Sequence, residues 1–126
     1  MIKKTITPTD SEMEILHVLW GKGSSTVRQV NEELNNKRDI GYTTTLKLMQ
    51  IMNEKELVVR DTSSRVHVYK AKVQEKDIKN NLLTEFLENT FKGSASSLVM
   101  QALGNHETTV EELEAIKQLI RQIENK

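Results

Sequence analysis

The stretch from Tyr42 to Lys70, YTTTLKLMQIMNEKELVVRDTSSRVHVYK, changes its apolar period partway along. Up to Met52 the apolar residues recur at helical spacing. Thr45, Leu48, Met49 and Met52 share one face, and Gly41 can cap the start. Beyond Lys55-Glu56 the pattern becomes that of strands: Leu57-Val58-Val59 and Val66-His67-Val68-Tyr69 flank the turn Asp61-Thr62-Ser63-Ser64. A helix running into a hairpin is one feature to explain. The other is the row of three threonines, since restricted χ1 and a backbone-seeking hydroxyl make threonine a mediocre helix former.

The segments before this stretch read as two more helices. Thr9 and Glu12 form a capping box, followed by Met13, Ile15, Leu16, Leu19 and Trp20 at helical spacing, and Gly21-Lys22-Gly23 ends the run. Thr26 and Gln29 repeat the cap, and Val27, Val30 and Leu34 give a narrow apolar stripe. Asn35 to Asp39 reads as a loop. Three short helices and then a two-stranded ribbon is the order of a winged helix-turn-helix, whose third helix can enter the DNA major groove.

In that frame the core-facing set leaves Tyr42, Thr43, Thr44, Lys47 and Gln50 on the other faces of the third helix. Short hydroxyls and free amides at a helix start suit phosphate oxygens and base edges. Lys47 adds charge, and Gln50 can pair with adenine. The plain alternative is that threonines here bond their own backbone. In the hairpin, Arg60, Arg65, Lys70 and Lys72 are candidate phosphate contacts, Arg65 before Lys72.

From Glu75 the helical period returns. Ile78, Leu82, Leu83, Phe86 and Leu87 mark one helix, broken by Lys92-Gly93-Ser94. Leu98, Val99, Ala102 and Leu103 mark a second, and Thr109 with Glu112 caps a last helix carrying Leu113, Ile116, Leu119, Ile120 and Ile123. Apolar faces this broad cannot all be satisfied within about 50 residues. Burial against a second copy is their outlet. The expected organisation is therefore mainly α with a small β-hairpin wing: a winged helix-turn-helix domain over residues 1–73 and a helical dimerisation domain over 74–126.

Composition narrows the function classes. With 126 residues, 37% hydrophobic and 4% aromatic, the chain suits one folding unit, or one small domain plus an appendage, and a core of aliphatic side chains and methionine. The absence of cysteine excludes disulfides, thiolate metal sites and a cysteine nucleophile. His17, His67 and His106 fall on a helix, a strand and a loop, with no metal spacing and no glycine-rich phosphate loop, so neither an enzyme nor a cofactor or metal site is expected. MIKKTITPTD has two lysines but no apolar run, and no window approaches a membrane span, which places the chain in the cytoplasm. Net charge is zero, yet residues 1–73 hold 12 Lys+Arg against 9 Asp+Glu, and residues 74–126 hold 6 against 9. A basic half beside an acidic half fits a DNA-facing domain joined to one with another task.

Several of these segments, taken together, resemble the penicillinase repressor (BlaI/MecI) family. They are Thr9-x-x-Glu12 through Ile15-Leu16-His17-Val18-Leu19-Trp20, Thr26-Val27-Arg28-Gln29-Val30, Tyr42-Thr43-Thr44-Thr45, Glu54-Lys55-Glu56-Leu57-Val58 and Ser64 to Tyr69. Lys92-Gly93-Ser94, Ser97-Leu98-Val99 and Glu111-Glu112-Leu113 extend the likeness over nearly the whole chain. The resemblance implies a homodimeric repressor on a palindromic operator, with Thr43, Thr44, Lys47 and Gln50 at recognition-helix positions and Arg65 in the wing. Leu83, Phe86, Leu98, Leu113, Ile116 and Ile120 would hold the pair together. Glu56 stands where many relatives have glycine, which weighs against a left-handed C-cap. Relatives governed by a membrane-bound sensor metalloprotease are cut at an Asn-Phe pair, where this chain has Gln101-Ala102. The family's copper-responsive branch uses cysteines that this chain lacks. The competing reading is a winged-helix protein-interaction module without DNA affinity.

Overall fold

The computed structural model describes residues 7–126; Lys3 and Lys4, part of the reading of the N-terminus, lie outside the described residues. Both expected reciprocal caps near the start are formed. Thr9 Oγ1 accepts from the Glu12 amide while Glu12 Oε1 accepts from the Thr9 amide, opening α1 (Asp10–Lys22). Thr26 and Gln29 do the same for α2 (Val27–Leu34). Gly23, at φ 84°, ends α1 in a conformation that a side chain would strain. Then follow α3 (Tyr42–Glu54), with Gly41 at its N-cap position and no side-chain cap, and the hairpin strands β2 (Val58–Asp61) and β3 (Val68–Ala71).

The hairpin differs from expectation in two respects. Its strands lie one to two residues later than the β-branched clusters suggested, with Val58 opposite Ala71 and Asp61 opposite Val68, so Val66 and His67 belong to the turn region. The clusters mark residues that favour extended backbone, whereas the register is set by which side chains reach the core. In addition Ser25–Thr26 forms a short strand, β1, pairing antiparallel to β3 and giving the order β1-β3-β2. Two residues carry no periodicity, and these two also serve the cap of α2.

The core of this part is one aliphatic cluster: Ile15, Leu16 and Leu19 of α1, the α2 stripe Val27, Val30 and Leu34, Met49 and Met52 of α3, and Leu57, Val58 and Tyr69 from the hairpin. Full burial of each is worth about 1.5–3 kcal/mol. Trp20 packs at its edge and donates from Nε1 to the Val73 carbonyl at 3.0 Å, fastening α1 to the segment that leads into α4 (Glu75–Phe91). At the end of α3, Glu56 does adopt the left-handed conformation, at φ 64°. Its amide reaches the Asn53 carbonyl and that of Leu57 reaches Met52, which is a Schellman ending carried by a residue other than glycine.

The described residues divide into two compact units, one ending at Leu83 and one running from Thr84 to Lys126. The division falls within α4, because its first turns, with buried Ile78, go with the first unit. The second unit contains the rest of α4, then α5 (Ala95–Asn105) and α6 (Val110–Glu124). Thr109 Oγ1 accepts from the Glu112 amide, but the reciprocal bond to the Thr109 amide is not formed, so only half of that capping box is present. Neither α5 nor α6 buries a single side chain, and Val110 and Met100 are about three-quarters exposed.

Candidate nucleic-acid interface

The three threonines have separate tasks. Thr45 is fully buried; its Oγ1 accepts from Asn31 Nδ2 at 2.9 Å and donates to the Gly41 carbonyl, so here the plain alternative is correct. Thr43 and Thr44 are exposed, as are Tyr42, Lys47 and Gln50. At 100° per residue, Thr43, Lys47 and Gln50 stand in one row along α3, opposite the buried Thr45, Met49 and Met52, with Thr44 to one side and Tyr42 to the other.

The start of α3 is electrostatically open. Gly41 offers no side chain to cap it, so the amides of Tyr42, Thr43 and Thr44 lack the intrahelical acceptors that later residues have. No acidic residue occupies that first turn. Partial positive charge therefore collects beside the two exposed hydroxyls, an arrangement suited to an anion.

A groove of about 740 Å³ runs between the starts of α2 and α3 and the wing, with Arg28, Asn31, Tyr42, Leu46, Arg65 and His67 among its walls and Tyr69 at its buried side. Of the four wing cations, Arg65 alone lines it. Lys72 instead donates to Glu56 Oε1 at 2.8 Å, and Arg60 and Lys70 line a separate cleft with Asp61. The Ser63 amide, together with the positive charge of Lys70, holds the Asp61 carboxyl below its ordinary range. Among the described residues Lys47 and Arg65 have no ion-pair partner, so both remain available to a ligand. Arg28, which the sequence reading passed over, is an exposed groove cation 3.6 Å from Glu32. Its position one residue inside a capped helix start was the available signal.

The arrangement is a helix with an exposed polar row and an open N-terminus, flanked by a cationic groove. It can donate several hydrogen bonds to an extended polyanion while presenting Thr43, Lys47 and Gln50 to whatever lies beneath. No group of three or more acidic or histidine side chains suited to a metal ion occurs among the described residues, and His17 and His67 are both exposed.

Comparison with known proteins places this geometry in a context. A family model described as penicillinase repressor matches residues 8–122. A penicillinase repressor of Staphylococcus aureus is 25% identical over 126 residues, the full length of both chains. The methicillin resistance regulatory protein MecI of Mammaliicoccus sciuri is 24% identical over 120 residues, covering 95% of this chain and 98% of its own. The solved DNA-binding domain of the repressor BlaI superposes with a TM-score of 0.52 at 25% identity, over 60% of this chain and 93% of that one.

Proposed function

This chain belongs to the penicillinase repressor family, and from that premise we propose that it is a cytoplasmic transcriptional repressor that binds a palindromic operator as a homodimer. The observation that carries the reading is the exposed row Thr43, Lys47 and Gln50 on α3, beside an uncapped helix start and next to Arg65. In each half-site α3 enters the major groove, Tyr42, Thr43 and Thr44 meet phosphates or base edges at its N-terminal end, and the wing lies on the flanking backbone. The winged fold and the repressor relatives favour a binding protein over an enzyme.

The second copy is supplied through the helices of the C-terminal region. Leu83, Phe86 and Ile120 are each about half exposed, Leu113 is 38% exposed, and Leu98 and Ile116 are partly covered. A unit this small that buries nothing within α5 or α6 gains its core by pairing. Release by a membrane-bound sensor metalloprotease extends the reading. Gln101 and Ala102 are exposed but lie inside α5, so cutting between them requires that helix to open first.

A mobility shift of the full-length protein on the promoter of its own operon tests the proposal. A retarded complex is expected whose log affinity falls linearly with log salt, with a two-fold symmetric footprint and half-sites separated by about 34–36 Å or a multiple of it. A confirmed dimer that gives no shift at low salt would instead be a protein-interaction module.

A further inference from the structure

We propose that Asn31 of α2 and Asn35 at its C-cap, acting with Thr45, are positioning residues that fix the start of α3 for sequence discrimination; the inference rests on the DNA-binding reading above. Asn31 Nδ2 donates to the Ile40 carbonyl at 3.0 Å and to Thr45 Oγ1 at 2.9 Å. Asn35 Nδ2 donates to the same Ile40 carbonyl at 2.9 Å and to the Asn31 carbonyl at 2.8 Å, and its Oδ1 accepts from the Ile40 amide at 3.2 Å. Both backbone groups of Ile40, two residues before the first helical residue of α3, are thus held by side chains of α2 and its C-cap.

The two ends of α3 are secured differently. Met49 and Met52 seat its middle and later part in the aliphatic cluster, whereas Thr45, the one fully buried residue of its first turn, is polar and joined to Asn31. Apolar packing is non-directional and lets an element slide, but hydrogen bonds fix distance and angle. The frame of α2 is itself anchored by Val27, Val30 and Leu34. Ile40 and Leu46 pack partly against the same cluster, and the asparagine pair adds the directional bonds that orient Thr43 and Thr44. A recognition surface tolerates only about 0.5 Å of misplacement, so loosening this pair degrades discrimination before it degrades attachment.

The test uses the full-length variants Asn31→Ala, Asn35→Ala, Thr45→Val and the double variant Asn31→Ala/Thr45→Val. Each is titrated against the duplex protected in the promoter and against a scrambled duplex. The asparagine variants are expected to lose about 5- to 30-fold in affinity for the protected duplex. In Asn35→Ala, which lies outside the groove, scrambled-duplex affinity and the salt slope stay unchanged, because the phosphate-facing cations are intact. The effects of Asn31→Ala and Thr45→Val should be non-additive, and exchange of the Ile40 amide should quicken in Asn35→Ala. Asn35 is exposed, so its truncation leaves the core in place. An unchanged discrimination ratio in folded Asn31→Ala and Asn35→Ala, whatever happens to the thermal midpoint, overturns the positioning role alone. A wild-type protein that does not distinguish the two duplexes overturns the DNA reading and this inference together.

Discussion

Lys55 Nζ lies 2.9 Å from Glu12 Oε2 and 3.2 Å from Glu12 Oε1, so the residue that closes α3 is tied to the first turn of α1. Glu12 is 2% exposed and also completes the reciprocal cap with Thr9, so one carboxylate serves a helix start and a contact across the core. Burial pushes its carboxyl up. The hydrogen bonds from Lys55 and the Thr9 amide, with the charge of Lys55, outweigh burial and hold it below the ordinary carboxylate range.

A pH dependence of stability follows from that depression. The folded state binds the Glu12 proton more weakly than the unfolded chain, so this stabilisation is complete above the ordinary carboxylate pKa and is lost as pH falls through the lower folded value. Glu12→Gln should cost about 1–2 kcal/mol near neutral pH, toward the lower figure because Lys55 is 41% exposed to screening solvent. Denaturant melts from pH 7 to pH 3 check this: the gap between wild type and variant should close on acidification. A constant gap would contradict it.

Glu56 holds a left-handed conformation that costs most residues free energy but costs glycine little. Its ion pair with Lys72 joins two exposed side chains and adds little in compensation. Glu56→Gly should therefore raise the thermal midpoint by about 3–6 °C. A lower midpoint would show that the Lys72 contact outweighs the backbone strain.

Contacts to phosphate and contacts to bases are separable at the proposed interface. Lys47→Ala and Arg65→Ala should each weaken binding to all duplexes and reduce the salt slope by about 1. Thr43→Ala and Thr44→Ala should leave that slope unchanged and shift sequence preference, at about 1 kcal/mol each. Titration over a salt series for every variant distinguishes the two classes. An unaltered affinity and slope for Lys47→Ala would remove that residue from the interface.

Charge placed on the apolar faces of α6 should separate the copies. Sedimentation of Leu113→Asp/Ile120→Asp is expected to give a monomer at concentrations where wild type is a dimer, and operator affinity should fall because two linked half-site contacts become one. A dimeric double variant would move the interface elsewhere.

What could be read directly along the chain was whatever is encoded over three to ten neighbouring residues. The caps at Thr9 and Thr26, the stripe Val27-Val30-Leu34, the glycine stop at Gly23 and the exposed set on α3 all follow from helical period and local hydrogen bonding. Four features arise from contacts between residues far apart in sequence or from backbone geometry. Ser25–Thr26 becomes a strand only because Tyr69 and Val68 lie beside it. Lys72 pairs with Glu56 and does not line the groove because folding brings Glu56 within reach. Glu56 takes the left-handed position because Leu57 must turn into the core. The bond that holds the buried Thr45 comes from Asn31, fourteen residues earlier. Residue order thus specified the helices and the face each would bury, since those depend on short-range period. Which partner holds Thr45 and which cations stay unpaired was decided only by packing, because the partner that captures a polar side chain can lie anywhere along the chain.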